Sequence, residues 1–316
     1  MDSNKPQVVI WGHRPEYGHT HSFVHQAFFK AFKHLGHDTS WLSNEDNMVC
    51  PSYPLDKQFK PGTIFLTEGQ VDRNLPIIKG CKYILHNCDL TKYQDVIKDC
   101  LNMQVYTHDC LKPERNAEKV EECIYYQNKS VEDTTQVGIN NRTLYMPWAT
   151  NLLPQEIHNI DVSAMKAARM TDRTFWVGSV CGGEMGNTQE LQEFAIGASK
   201  KNVQFGVLRV PEEQAKKVLL ASHTAPAIQG KWQVEKGYIP CRVFKNISYG
   251  RLPTTNSFAV RNFFEEMLPC ASPLEMSEFG RTEEDQMTQK TSDRLVGFVR
   301  EHHTYINRIE RLLEVL

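Results

Sequence analysis

The stretch Gly237-Tyr238-Ile239-Pro240-Cys241-Arg242-Val243-Phe244-Lys245-Asn246-Ile247-Ser248-Tyr249-Gly250 combines a preset helix start with two cations. Pro240 suits a first helical position, Val243, Phe244 and Ile247 share one face, and Gly250 suits the end. The free N–H groups of such a start, together with the helix macrodipole, favour a phosphate. Arg242 and Lys245, three residues apart, reach the same side. The alternative is a pair of solvated cations on a surface helix.

A second segment of interest is Trp176-Val177-Gly178-Ser179-Val180-Cys181-Gly182-Gly183, where an apolar run gives way to small residues. At the carboxyl end of a strand in an α/β sheet, glycines let a ligand approach the backbone, although a flexible loop has the same composition. The loop after the first apolar run carries His13, Arg14, Glu16, His19 and His21, without the G-x-G-x-x-G spacing of a dinucleotide site. Six of the 12 histidines fall in the first 37 residues, and His86/Cys88 and His108/Cys110 form two H-x-C pairs. No C-x-x-C, H-E-x-x-H or D-x-D is present, so no metal is expected. P-loop and G-x-S-x-G signatures are also missing.

These residues need a scaffold, and the apolar periodicity supplies one. Gln7–Trp11 reads as a buried strand, followed by a helix with Val24, Ala27, Phe28, Ala31, Phe32 and Leu35 on one face, Ser22 as its cap and Gly36 at its end. Strands are expected at Thr39–Leu42, Thr63–Thr67, Tyr83–His86, Val105–Thr107 and Leu144–Pro147, with 111–142 a polar surface excursion. The pattern then restarts with strands at Thr174–Val177, Val203–Leu208, Ala225–Ile228 and Leu252–Thr255, separated by helices. Ser292–Leu316 reads as one long amphipathic helix.

Length and charge bound the classes. At 316 residues the chain suits about two domains, and 36 basic against 38 acidic residues leave a formal charge of -2, which argues against nucleic acid as a partner. No apolar run suits a membrane span. Nine cysteines without tight spacing and no signal-like N-terminus point to reduced thiols and a cytoplasmic location.

Four stretches, Tyr145–Thr150, Phe175–Ser179, Ile239–Gly250 and Glu301–Arg308, together resemble the GT-B glycosyltransferases of the group-1 type, in the branch similar to the CgeB spore-maturation proteins. The resemblance implies two Rossmann-like domains facing across a cleft: 1–150 on the acceptor side and 151–290 on the nucleotide-sugar side. Residues 291–316 would form a helix crossing back to the first domain. It implies a metal-independent transfer of sugar from a nucleotide diphosphate-sugar donor to a glycan or other hydroxyl acceptor. Gly178, Ser179, Pro240 and Arg242 would then lie at the diphosphate. Lys245 stands where relatives commonly carry a glutamate for the ribose; by adjacency, Lys245 would instead add a cation to the diphosphate site, with Asn246, or Thr254, Thr255 and Asn256, meeting the hydroxyls. The acceptor base would be His13 or His19, then Glu16, with Glu68 and Asp89 as further cleft residues. Neither glutamate of the E-x7-E pattern is present, so the alternatives are a catalytically silent nucleotide-sugar-binding protein and a nucleotide-sugar epimerase. A metal-dependent hydrolase built on the His/Cys pairs stands outside that fold family.

Overall fold

The structure is a computed structural model that describes residues 5–13, 20–42, 59–106, 132–136 and 139–316. It divides into two compact units. One comprises the described residues of 1–105, 121–146 and 305–316, and the other those of 106–120 and 147–304.

The first unit is built on a seven-stranded sheet. Its strands are β1 (Val8–Trp11), β2 (Thr39–Leu42), β3 (Ile64–Glu68), β4 (Lys82–His86), β5 (Cys100–Gln104), β6 (Glu132–Gln136) and β7 (Ile139–Tyr145), in the order β2-β1-β3-β4-β5-β7-β6. Six are parallel, and only β6 runs antiparallel, against β7. This is a mixed α/β, Rossmann-like sheet flanked by helices. The apolar runs of β1, β3 and β4 are buried on both faces, as parallel strands covered by helices require. Helix α1 (Thr20–His34) buries Val24, Ala27, Phe28, Ala31 and Phe32. It ends where Gly36 turns to φ +81° and the N–H of His37 returns to the Phe32 carbonyl, a glycine C-cap. Ser22, expected as the cap, lies inside the helix.

Two strand expectations are corrected. The fifth strand lies at Cys100–Gln104 rather than Val105–Thr107, because a 3-10 segment, Leu90–Asp99, feeds directly into it. The end of the expected excursion, from Glu132, belongs to the sheet as β6 and β7, and residues 107–131 lie outside the described residues.

The second unit contains α2 (Val162–Ala168), β8 (Arg173–Val177), α3 (Thr188–Lys200), β9 (Gln204–Leu208), α4 (Glu212–Ala221), β10 (Ala225–Ala227), α5 (Lys231–Glu235), α6 (Cys241–Ser248), β11 (Pro253–Thr255), α7 (Phe258–Phe263), α8 (Met276–Gln286) and α9 (Gln289–His302). Its strands form two parallel pairs, β8 with β9 and β10 with β11. Trp176, Leu191, Phe194, Ala198, Val203, Ile228 and Met276 fill a core under them. A buried ion network adds to it: Glu284 accepts from Nε and Nη2 of Arg251 at 2.7 and 2.8 Å and from Nη1 of Arg169 at 2.7 Å.

The long C-terminal helix is in fact two, α9 and α10 (Tyr305–Val315). At the break the His303 carbonyl accepts from Thr150 N at 3.1 Å, so the backbone leaves the helical ladder there. The His303 ring packs among Phe244, Phe263, Phe264 and Phe298. Helix α10 belongs to the first unit, where Tyr305 meets Phe28 edge-on at 4.6 Å. Among the described residues no helix is long and apolar enough to cross a membrane.

Candidate functional site

In the first unit, four histidines gather around one carboxylate at the carboxyl edge of the parallel sheet, the edge at which open α/β sheets receive ligands. Glu68 ends β3 and His86 ends β4, and the parallel register makes them direct neighbours. His13 follows β1, and His21 and His25 stand one turn apart on α1. His13 Nε2 lies 3.3 Å and His21 Nδ1 3.6 Å from the same oxygen, Oε1 of Glu68. His21 meets the ring of His86 edge-on at 5.7 Å, and His25 stacks with His13 and His21 at 6.5 and 6.3 Å.

Local backbone makes this gathering possible. Gly12 has no side chain, and a Cβ there would fall inside the His25 imidazole. A Cβ on Gly69 would overlap the Asn87 carbonyl, so the turns after β3 and β4 touch backbone to backbone. Gly69 N donates to the His86 carbonyl at 2.9 Å across the same contact.

Burial divides the cluster into two kinds of group. The side chain of Glu68 is 2% exposed, whereas His13 and His21 retain 15% and 23%. Burial alone would raise the Glu68 carboxyl. Hydrogen bonding and charge from His21, with a backbone bond from Gln70, more than offset this and bring it down to about 2. His25 and His86 are driven the other way, to about 3 and about 4, by burial and then by the charge of His21. Both are neutral near pH 7. His86 Nδ1 faces the Met103 carbonyl at 3.0 Å, so that nitrogen carries the proton and Nε2 accepts from Asn87 Nδ2 at 3.2 Å. The arrangement is therefore an ionised carboxylate, two solvent-reaching imidazoles and two inert ones behind them.

Of the expected residues, the structure brings His13 and Glu68 together. Glu16 and His19 lie outside the described residues. Asp89 is exposed and caps the 3-10 segment, accepting from Thr91 N at 3.0 Å and Thr91 Oγ1 at 2.7 Å, bonds that hold its carboxyl below the usual range. His25 went unnamed in the sequence, while His21 entered only as a loop imidazole and His86 only in an H-x-C pair. The i, i+4 spacing of the first two was a usable signal, because it puts them on one helix face. Among the described residues no group of three or more His, Cys, Asp or Glu has the geometry to hold a metal ion.

The residues expected at the second unit's ligand edge are placed as follows. Pro240 is the N-cap of α6 and Cys241 its first helical residue. The Arg242 guanidinium lies 3.5 Å over the Trp176 ring and donates from Nη1 to the Val177 carbonyl at 2.6 Å. Burial lowers its pKa. Gly178 sits beneath it at φ +146°, where a Cβ would overlap Nη2. The Ser179 carbonyl accepts from Trp176 Nε1 at 3.1 Å. Lys245 is half-buried on α6. Asn246 is buried and turns its amide to the Ala225 carbonyl. Thr254 packs on Gly280, Thr255 Oγ1 accepts from Ser257 N at 3.1 Å, and Asn256 exchanges two hydrogen bonds with the Gln229 backbone at 2.9 and 2.8 Å. These last three serve the protein's own turns.

No family model matches the sequence, and no curated protein does. Among solved structures, the N-terminal domain of Candida albicans trehalose-6-phosphate phosphatase is similar with a TM-score of 0.49 and 11% identity, over 99% of this chain and 97% of that one. A likeness this distant lends the chain no activity. The glycosyltransferase assignment is nevertheless corrected, together with its silent nucleotide-sugar-binding and epimerase alternatives. No family model and no curated relative stands behind the four-stretch resemblance.

Proposed function

We propose that the first unit carries a general acid–base centre in which His13, held by Glu68 and flanked by His21, moves a proton to or from a small polar ligand at the carboxyl edge of the sheet. The observation that carries this reading is the convergence of two solvent-reaching imidazoles on one buried carboxylate oxygen, at 3.3 and 3.6 Å. A buried carboxylate orients an imidazole and stabilises the imidazolium formed when it takes a proton. Histidine suits the task because its ordinary pKa lies near neutral pH. Positioned proton transfer of this kind contributes about 10²–10⁴-fold in rate. The test is mass-spectrometric turnover of a metabolite mixture by the wild type, His13→Gln and Glu68→Gln. A compound consumed by the wild type and about 10²-fold more slowly by both variants supports the centre. Equal consumption by His13→Gln refutes it.

A second site is favoured by Arg242. Its guanidinium is stacked on Trp176 and bonded to a carbonyl, with no carboxylate in ion-pair range among the described residues, in the first turn of α6. An anionic group, phosphate or carboxylate, is the complement of that charge. A thermal shift by inorganic phosphate or pyrophosphate that disappears in Arg242→Met supports this site, and a shift retained in the variant removes it.

A further inference from the structure

Behind the cluster lies a polar junction that proton transfer at His13 does not use. Tyr93, fully buried in the 3-10 segment, donates its hydroxyl to Asp72 Oδ2 at 2.8 Å. The Cys88 thiol packs beside the same ring and donates to the His86 carbonyl, Sγ to O 3.5 Å. Asp72 closes the turn that begins at Glu68: Val71 N donates to the Glu68 carbonyl at 3.0 Å, and the Val71 carbonyl accepts from Trp11 Nε1 at 2.9 Å. Lys92 adds a bond to the Asp72 carbonyl and lies 3.8 Å from its Oδ2. One side chain thus bonds the turn that follows Glu68 and packs beside the residue two after His86.

We infer that Tyr93 is a positioning residue, which locks these two turns together and so sets the Glu68 carboxylate against His13 and His21. The inference rests on the acid–base reading above. Burial, with Cys88 and Asp72 beside it, pushes the phenol well above its ordinary range, so the hydroxyl stays protonated and remains a donor at every working pH. The carboxylate of Asp72 can only accept, which fixes the direction of the bond. Removing the hydroxyl leaves the ring and its packing in place but unties Asp72 from the junction. The Glu68 turn then keeps the Lys92 contacts at Asp72, the Gly69 contact with the β4 turn and the Trp11 bond, but loses the one hydrogen bond that Tyr93 makes to the Asp72 carboxylate.

The experiment is the imidazole ¹⁵N–¹H spectrum of the full chain, recorded for wild type, Glu68→Gln, Tyr93→Phe, Asp72→Ala and Asp72→Asn. Glu68→Gln defines where the His13 and His21 resonances go once the carboxylate is lost. Tyr93→Phe and Asp72→Ala are expected to move the same resonances toward that position. Asp72→Asn, which keeps an acceptor oxygen for the hydroxyl, is expected to restore the wild-type spectrum. If Tyr93→Phe is unfolded, Asp72→Ala carries the same comparison. Wild-type resonances in the folded Tyr93→Phe or Asp72→Ala protein would overturn the positioning role. Resonances unmoved by Glu68→Gln itself would instead remove the acid–base reading on which it rests.

Discussion

Acidification should weaken the first unit in a window set by its two inert histidines. His25 and His86 are only 3% and 2% exposed, and burial brings them from the ordinary value near 6.5 to about 3 and about 4. The unfolded chain therefore binds more protons than the folded one below about pH 6.5, so stability is complete above that value and falls as pH falls. Each group costs about 1.4 kcal/mol per pH unit inside its window, which between about pH 7 and pH 5.5 amounts to roughly 2.5 kcal/mol for the pair. That is a large share of a typical domain's 5–15 kcal/mol. Glu68, lowered from 4.5 to about 2, adds nothing in this range, since its contribution is lost only as pH falls below about 4.5. His223 in the second unit, also lowered by burial and then by Arg281, acts in the same sense, so the assay needs an internal reference. Urea unfolding of the wild type and His86→Gln at both pH values supplies it. The variant should lose about half of the pair's pH dependence, roughly 1.2 kcal/mol over the interval. A wild-type stability that is flat between the two pH values, or a His86→Gln protein with the full slope, would refute the argument that these imidazoles are neutral in the fold.

Three further outcomes follow from the packing. Glu284→Gln strands the buried guanidinium groups of Arg169 and Arg251 with one charge fewer to meet them, and chemical denaturation should register a loss of about 3–5 kcal/mol; a loss below about 1 kcal/mol would mean that water reaches the network. Gly12→Ala places a methyl group where the His25 ring lies, and should cost about 1–3 kcal/mol while shifting the His25 ring resonances; an unchanged spectrum would refute the contact. Gly178→Ala combines a positive φ with a clash against Arg242, so it should lower the melting temperature and displace the guanidinium from Trp176, read as a change in tryptophan fluorescence.

Much of the first sheet was legible because β1, β2, β3 and β4 are short apolar runs bounded by polar turns. The fifth strand was not, for a specific reason. Asn102 and Gln104 are polar residues at buried positions, and Asn102 is satisfied across the sheet by Thr143 Oγ1 at 3.3 Å, a partner that no local pattern reveals. The break between α9 and α10 was hidden because the apolar spacing runs on through it, while the bond that interrupts the ladder comes from Thr150, far away in sequence. Glu68 could be selected as the polar residue at a strand end. The pairing of His86 with Glu68 could not be read, since it depends on β3 and β4 being parallel neighbours in register.

The composition of the cluster argues for a role in chemistry over one in stability. Two neutral imidazoles and an ionised carboxylate are held in the interior, where each group costs more than an apolar side chain of similar volume. Gly12 and Gly69 are left without side chains so that the ring of His25 and the turn after β4 can close in, which forgoes packing at two more positions. A fold selected for stability alone would fill this edge with apolar residues, as it does beneath it with Val9, Phe65 and Leu85. The costs fall at the one sheet edge where α/β proteins receive ligands, and the groups they maintain are a buried carboxylate and two imidazoles that keep part of their surface exposed. Replacing His25 and His86 with apolar residues should therefore raise stability at low pH and, on the acid–base reading proposed above, abolish proton transfer at His13 only if the inert pair orients His21. Retained turnover in such a stabilised variant would confine the function to His13, His21 and Glu68.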